Sequence, residues 1–246
     1  MPRLRTALEH LSRAGPRPPN LSPLNNVAVA IMAKAPRPGA VKTRLCPPLV
    51  AAEAVALYRC FLLDKIAVVR TLVGARPVVA YTPDDARAEF AALAPDFALV
   101  PQHGPDLGAR LYATLADLLA AGHTGVIAVD SDTPTLPVEF LQRAVDCLAR
   151  PGPDVVLGPT EDGGYYLIGV RAAHRVLFDA VPWSTSAVLE VTLRQAATAG
   201  LQAVCLPPWF DVDTPDDLRR LQTMLDDGPA AAAASQTGRF LASWPR

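Results

Sequence analysis

What this chain lacks removes whole classes of function. It has no excess of positive charge: 23 Lys and Arg against 24 Asp and Glu leave a formal net charge of −1. Nor does it carry a long basic stripe, which argues against nucleic acid as the main partner, because binding a phosphate backbone leaves a strongly positive footprint. No run of about 18 uninterrupted apolar residues exists, so nothing in the sequence reads as a membrane span. The four cysteines, Cys46, Cys60, Cys147 and Cys205, form no Cys-x-x-Cys pair and have no histidine at zinc-finger spacing, and they read as thiols in a reducing compartment. The first 25 residues contain Arg3, Arg5, Arg13 and Arg17 but no continuous apolar core of a secretory signal, so the expected location is cytoplasmic. There is no Gly-x-Gly-x-x-Gly, which weakens the case for a dinucleotide oxidoreductase. The segment Gly39 to Thr43 lacks the spacing of a phosphate-binding P-loop.

What is present suits one large α/β domain. The chain has 246 residues, half of them hydrophobic, enough to bury a sizeable core. Met1 to Asn26 is rich in proline and is expected to be a poorly ordered extension, with a catalytic-type domain over 27–227. Gly228 to Arg246, with its alanine run, is expected to be an accessory helix or a loose tail. Between these ends, apolar runs predict strands near Val27 to Ala33, Arg76 to Tyr81, Phe97 to Pro101, Thr124 to Val129, Asp154 to Pro159, Tyr165 to Val170 and Leu201 to Leu206. Helical patterns fall at Leu49 to Leu72, Asp84 to Leu93, Leu107 to Ala121, Pro137 to Ala149, Thr185 to Ala199 and Pro215 to Leu225. This alternation predicts a mostly parallel, twisted sheet with helices on both faces. Tyr165 to Val170 follows its predecessor too closely for a crossover helix, so it is expected to run antiparallel.

Two acidic doublets stand out. Asp130-Ser131-Asp132 directly follows Val126 to Val129, and Asp211-Val212-Asp213 follows the last predicted strand. Ligands of open α/β sheets gather at the carboxyl ends of the strands, and paired carboxylates there are hard oxygen donors suited to Mg²⁺ or Mn²⁺ holding a phosphate. The structural alternative is that these aspartates cap the helices after them, with Pro134 and Pro215 in the first turn. Capping needs one Asp at each place, however, and leaves the second unexplained.

Other polar residues also lie past strand ends: Lys34 and Arg37 after the first strand, Asp106 after the third, Asp132 after the fourth, Asp162 after the fifth and Asp213 after the last. If the sheet is parallel there, all converge on one crevice. Lys34, Arg37, Lys42 and Arg44 form a cationic loop stiffened by Pro36 and Pro38, a form suited to a diphosphate, although a solvated surface loop is the bland alternative. Trp183 and Tyr165 are candidates to stack on a sugar or a base, against the alternative that they are core. Gly163-Gly164 reads equally as a tight turn and as a place where a substrate meets the backbone. His103 and His123 have no partner at ligand spacing and read as loop or helix-end residues.

The series Lys34 to Leu45, Asp106 to Leu111, Ser131-Asp132-Thr133-Pro134, Asp162 to Gly169, Pro182-Trp183-Ser184-Thr185 and Asp211 to Leu218 resembles the motifs of a bacterial family of proposed glycosyltransferases. That family has the nucleotide-diphospho-sugar transferase (GT-A) fold, and some members are encoded beside arsenosugar or radical-enzyme genes. A weaker similarity reaches the phospholactate and molybdenum-cofactor guanylyltransferases. The resemblance implies that Asp132 and Asp213 hold the metal, and that Lys34, Lys42 and Arg44 grip phosphate. It implies too that Asp106, Gly108 and Arg110 line the nucleotide, and that Asp162, Gly163 and Gly164 lie by the sugar or acceptor. Relatives usually carry a small residue where this chain has Asp130, so Asp130-Ser131-Asp132 restores the Asp-x-Asp of glycosyltransferases and places Asp130 by the nucleotide phosphates.

The function implied is metal-dependent transfer of a sugar from a nucleotide-diphospho-sugar to a small-molecule acceptor by a monomer or homodimer. The metal and basic loop would stabilise the leaving diphosphate, and Asp162 or Glu161 would be the base toward the acceptor hydroxyl. Two alternatives stand beside it: nucleotidyl transfer from a nucleoside triphosphate to a phosphorylated acceptor, with pyrophosphate release, and nucleotide binding without catalysis.

Overall fold

Seven apolar segments pair into one sheet in the computed structural model, which describes residues 26–226 and 234–244. Of the expected disordered extension, Met1 to Asn26, residues 1–25 lie outside the described residues, as do 227–233 and 245–246. The strands are β1 (Val27–Lys34), β2 (Ala75–Thr82), β3 (Ala98–Pro101), β4 (Gly125–Val129), β5 (Val155–Pro159), β6 (Tyr165–Val170) and β7 (Ala203–Cys205), in the order β3-β2-β1-β4-β6-β5-β7. All pairings are parallel except those of β6, which runs antiparallel to both β4 and β5.

The helices are α1 (Ala51–Arg70), α2 (Arg87–Leu93), α3 (Leu107–Ala120), α4 (Val138–Ala149), α5 (Val188–Thr198), α6 (Pro215–Asp226) and α7 (Ser235–Ser243). Side chains alternate across a strand, and β1 shows the result. Val27, Val29, Ile31 and Ala33 enter a core shared with α1, α2, α4, α6 and α7, whereas Ala28 and Ala30 enter a second core shared with α3 and α5. A strand buried on both faces must be apolar throughout, which is why β1 reads as a continuous run. Among the described residues, no helix is long and apolar enough to cross a membrane.

Most predicted elements differ from the observed ones only at their ends. The helix expected from Thr185 begins at Val188, because Ser184 takes a left-handed φ of 65° and the Thr185 hydroxyl accepts from the amide of Ala187 at 3.3 Å. The tail contains a helix, α7, seated against α1. Its first turn is capped by Asp64, a side chain of α1 that accepts from the amides of Gln236 and Thr237, each at 2.9 Å, and from the Thr237 hydroxyl at 2.6 Å.

The topology positions one cleft. The chain leaves β1 toward β2 on one side, while β4 lies on the other, so the carboxyl ends of β1 and β4 flank a switch point where loops diverge and leave a crevice.

Candidate active site

The loop after β1 is pinned from below. Ala35, Val41 and Leu45 dip into the first core, and the amide of Ala35 donates to the carbonyl of Thr82 at 2.8 Å. Lys42 takes a left-handed conformation with φ 49°, turning its side chain inward until it is only 4% exposed. Its ammonium lies 2.6 Å from Asp132 Oδ1 and donates to Asp213 Oδ1 and to the carbonyl of Val212, both at 2.9 Å. Three acceptors use every proton an ammonium carries. Burial alone would depress the pKa of Lys42, but Asp132 and Asp213 outweigh it and hold the pKa above its ordinary value.

The two acidic doublets therefore meet at one lysine. Neither Asp132 nor Asp213 caps a helix. The cap of α6 is Thr214, whose hydroxyl accepts from the Asp217 amide at 3.3 Å while Asp217 accepts from the Thr214 amide at 2.7 Å. This reciprocal pair also takes the Asp213 amide at 3.1 Å and so sets the direction of Asp213. Ahead of α4, Ser131 points inward. Its hydroxyl lies 2.9 Å from the Tyr58 hydroxyl and 3.1 Å from the carbonyl of Met32, which anchors Asp132 to α1 and β1. Burial and the nearby Asp132 push the Tyr58 phenol up to about 12.

Asp130 plays a different part. Its Oδ1 accepts from the Thr133 hydroxyl at 2.6 Å and pairs with Lys65 at 3.4 Å, and Lys65 is buried in α1 with two further bonds, to the Thr133 hydroxyl at 2.6 Å and the Thr133 carbonyl at 3.0 Å. Burial lowers the Lys65 pKa against the pull of Asp130, and burial raises that of Asp130 against the pull of Lys65. Asp130 is thus held from behind, with part of its carboxyl still lining the cleft.

The cleft has two connected halves. One, of about 340 Å³, is lined by Lys34, Lys42, Arg44, Arg110, Asp132 and Asp213, with Thr82 and Gln102 at its side. Arg44 is 69% exposed and touches Asp213 Oδ2 at 3.5 Å, so it is free to turn to a ligand in a way Lys42 is not. The other half, of about 490 Å³, shares Asp132, Asp213 and Arg44 and adds Asp130, Asp162, Gly164, Tyr165, Trp183 and Asp211. Here Asp162 Oδ1 accepts from the Thr160 hydroxyl at 2.6 Å and the Gly164 amide at 3.1 Å. Gly163, with φ 93°, lies so close to the carbonyl of Ser186 that a Cβ could not fit, so its glycine serves the turn and the close packing together. Tyr165 and Trp183 meet edge to face, with centroids 6.3 Å apart.

Some expected residues stand elsewhere. Arg37 turns to α2, with Nε 3.0 Å from Glu89 Oε1 and Nη1 3.1 Å from Asp85 Oδ1, because the proline-bounded turn at Pro38 to Ala40 points it away from the sheet end. Asp106 caps α3, accepting from the Ala109 amide at 2.8 Å. Gly108 lies under the indole of Trp183, where a Cβ would be 2.5 Å from Nε1, and makes room for that ring. Glu161 is paired with Arg220 at 2.6 and 2.8 Å, and those bonds hold its carboxyl below the ordinary range.

Sequence reasoning missed Lys65, Tyr58 and the separate character of Asp211. The apolar stripe Leu57, Tyr58, Phe61, Leu62, Ile66 and Val69 predicts an inward position for Lys65 by helical spacing, so that signal was legible. Asp211 has no such signature. Burial, then Asp213 and Asp162, raise its carboxyl to about 7.

The donors present suit a divalent cation held jointly with a ligand. Asp132 and Asp213 each spend one oxygen on Lys42, and the second oxygen of Asp213 meets only the exposed Arg44, while among the described residues no group of three or more His, Cys, Asp or Glu side chains forms a metal site by itself. Two carboxylates completed by phosphate and water match the habit of Mg²⁺.

Sheet order, the antiparallel β6 and the cleft at the β1/β4 switch point define a nucleotide-diphospho-sugar transferase-like (GT-A) fold. A "putative nucleotide-diphospho-sugar transferase" from Desulfovibrio desulfuricans G20 has a crystal structure that superposes with a TM-score of 0.81 at 32% identity, covering 89% of this chain and 94% of that one. A family model described as "Uncharacterized protein conserved in bacteria (DUF2064)" matches residues 65–185. At that identity and coverage, the chain belongs to the same family as the Desulfovibrio protein.

Two more distant structures share the fold alone. One is a cytidylyltransferase from Leptospira borgpetersenii, with TM-score 0.53, 12% identity and coverage of 88% of this chain and 94% of that one. The other is glucosyl-3-phosphoglycerate synthase from Mycobacterium tuberculosis, in complex with Mn²⁺, UDP and glucosyl-3-phosphoglycerate, with TM-score 0.50, 14% identity and coverage of 93% and 86%. No curated protein sequence matches the chain.

Proposed function

We propose that this protein is a metal-dependent glycosyltransferase that moves a sugar from a nucleotide-diphospho-sugar to a small-molecule acceptor. The observation that carries the reading is the meeting of Asp132 and Asp213 on the Lys42 ammonium, beside a cation-lined cavity at the carboxyl ends of β1 and β4.

Lys34, Arg44 and Arg110 bind the diphosphate, Arg44 and Arg110 through the planar fork that matches phosphate oxygens. Asp132 and Asp213 would hold Mg²⁺ or Mn²⁺, which when bound supplies neutralising charge for the leaving diphosphate. Lys42 keeps those two carboxylates together and fixes their direction before any ligand arrives, so less reorganisation is needed at the moment of reaction. Asp162 takes the proton of the acceptor hydroxyl: Thr160 and Gly164 anchor its Oδ1, and Oδ2 is left to accept. The free thiols at Cys46, Cys60, Cys147 and Cys205 suit a cytoplasmic setting.

The test is to incubate the protein with Mn²⁺ or Mg²⁺ and a panel of nucleotide sugars and triphosphates, and to identify what is released. Nucleoside diphosphate is the expected product. Pyrophosphate would assign nucleotidyl transfer instead, and binding without turnover would leave a nucleotide-binding protein.

A further inference from the structure

We infer that the acceptor is a hydroxyl compound without negative charge, seated with an apolar face against Tyr165 and Trp183; this rests on the glycosyl-transfer reading of the cleft. The cleft is electrically polarised along its length. In the smaller half, four cations, Lys34, Lys42, Arg44 and Arg110, face two carboxylates, Asp132 and Asp213. In the larger half five acidic side chains, Asp130, Asp132, Asp162, Asp211 and Asp213, face Arg44, the only cation lining it among the described residues.

Counter-charges behind the wall do not remove this difference. Lys42, joined by the metal when one is bound, compensates Asp132 and Asp213, and Lys65 compensates Asp130. Asp162 and Asp211 have no ion-pair partner among the described residues. A low-dielectric cleft lined by one sign of charge focuses its field on whatever enters. A diphosphate is therefore drawn to one half, and a phosphorylated or carboxylated acceptor is repelled from the other.

The apolar part of the larger half is built, not incidental. Trp183 sits where Gly108 makes room for its indole, its ring stands at 83° to that of Tyr165, and Leu111 and Leu167 complete the surface. Aromatic faces beside carboxylates receive neutral hydroxyl compounds and organic cations. The same polarity disfavours nucleotidyl transfer to a phosphorylated acceptor in this half.

A matched series tests the proposal: 2-amino-1-phenylethanol, 1-phenylethanol and mandelate share one phenyl-hydroxyl frame and differ in charge. Binding to the full-length protein is measured by calorimetry with Mn²⁺ and nucleoside diphosphate present. The cationic and neutral members are expected to bind, with mandelate weaker by about tenfold or more, and a double variant Asp162→Asn, Asp211→Asn should shrink that difference. Mandelate binding as tightly as the amine, or no member binding at all, overturns the proposal. Separate titration with nucleoside diphosphate and Mn²⁺ keeps the two readings distinguishable: loss of that binding defeats the glycosyl-transfer reading, whereas intact diphosphate binding with a preference for mandelate defeats only the inference about acceptor charge.

Discussion

Lys42 and Lys65 are both buried lysines, yet they do different work. Lys42 faces the cleft through two carboxylates that are a third or more exposed, and Lys65 closes a network with Asp130 and Thr133 beneath it. Asp132→Asn keeps an acceptor for Lys42 but removes a charge from the proposed metal site. Calorimetry should show Mn²⁺-dependent nucleoside diphosphate binding weakened by more than about tenfold. Urea unfolding should show stability changed by less than about 1 kcal/mol, because the lost ion pair is partly solvated. Lys65→Met should behave oppositely: it strands Asp130 and is expected to cost about 3 kcal/mol. Adding Asp130→Asn should recover much of that loss, a coupling that a double-mutant cycle reads directly.

Between elements, the joint that matters most is the cap that α1 supplies to α7. A carboxylate at a helix N-terminus satisfies amides that the helix itself leaves unpaired and meets the positive end of its dipole, and Asp64 does this across a long sequence separation. Asp64→Ala is expected to cost about 1–2 kcal/mol and to raise amide exchange across Ser235–Ser243 ahead of the sheet. Equal protection in the variant would show that apolar contacts, among them Leu241, hold α7 without the cap. The caps of α3 and α6 show how far local sequence can be trusted. Asp106, an expected nucleotide-lining residue, also closes a helix, whereas Asp213, which had a capping alternative, is released by Thr214 to face the cleft.

Across the whole molecule, the cleft depends on the sheet holding two loops at the ends of β1 and β4. Saturating Mn²⁺ with nucleoside diphosphate should therefore stabilise the folded chain, by about 2.7 kcal/mol at a ligand concentration of a hundred times the dissociation constant. Chelation should abolish the shift. A thermal shift unchanged by EDTA would mean that the nucleotide binds without the metal and that Asp132 and Asp213 serve another purpose. The Desulfovibrio relative spans almost the same architecture.

Sequence alone determined the strands, the antiparallel β6 and the placement of Asp132, Asp162 and Asp213 past strand ends, because burial on both faces writes an apolar run and a short connection forbids a crossover. It also marked Lys34, Arg44 and Arg110 as cations of the cleft. Only the tertiary structure decided which way the other polar side chains point. Arg37 found Glu89 on α2 and Asp85 just before it, and Lys42 turned inward to join two carboxylates from distant segments. Both outcomes depend on which charged groups the fold brings within reach, and spacing along a chain carries no record of that.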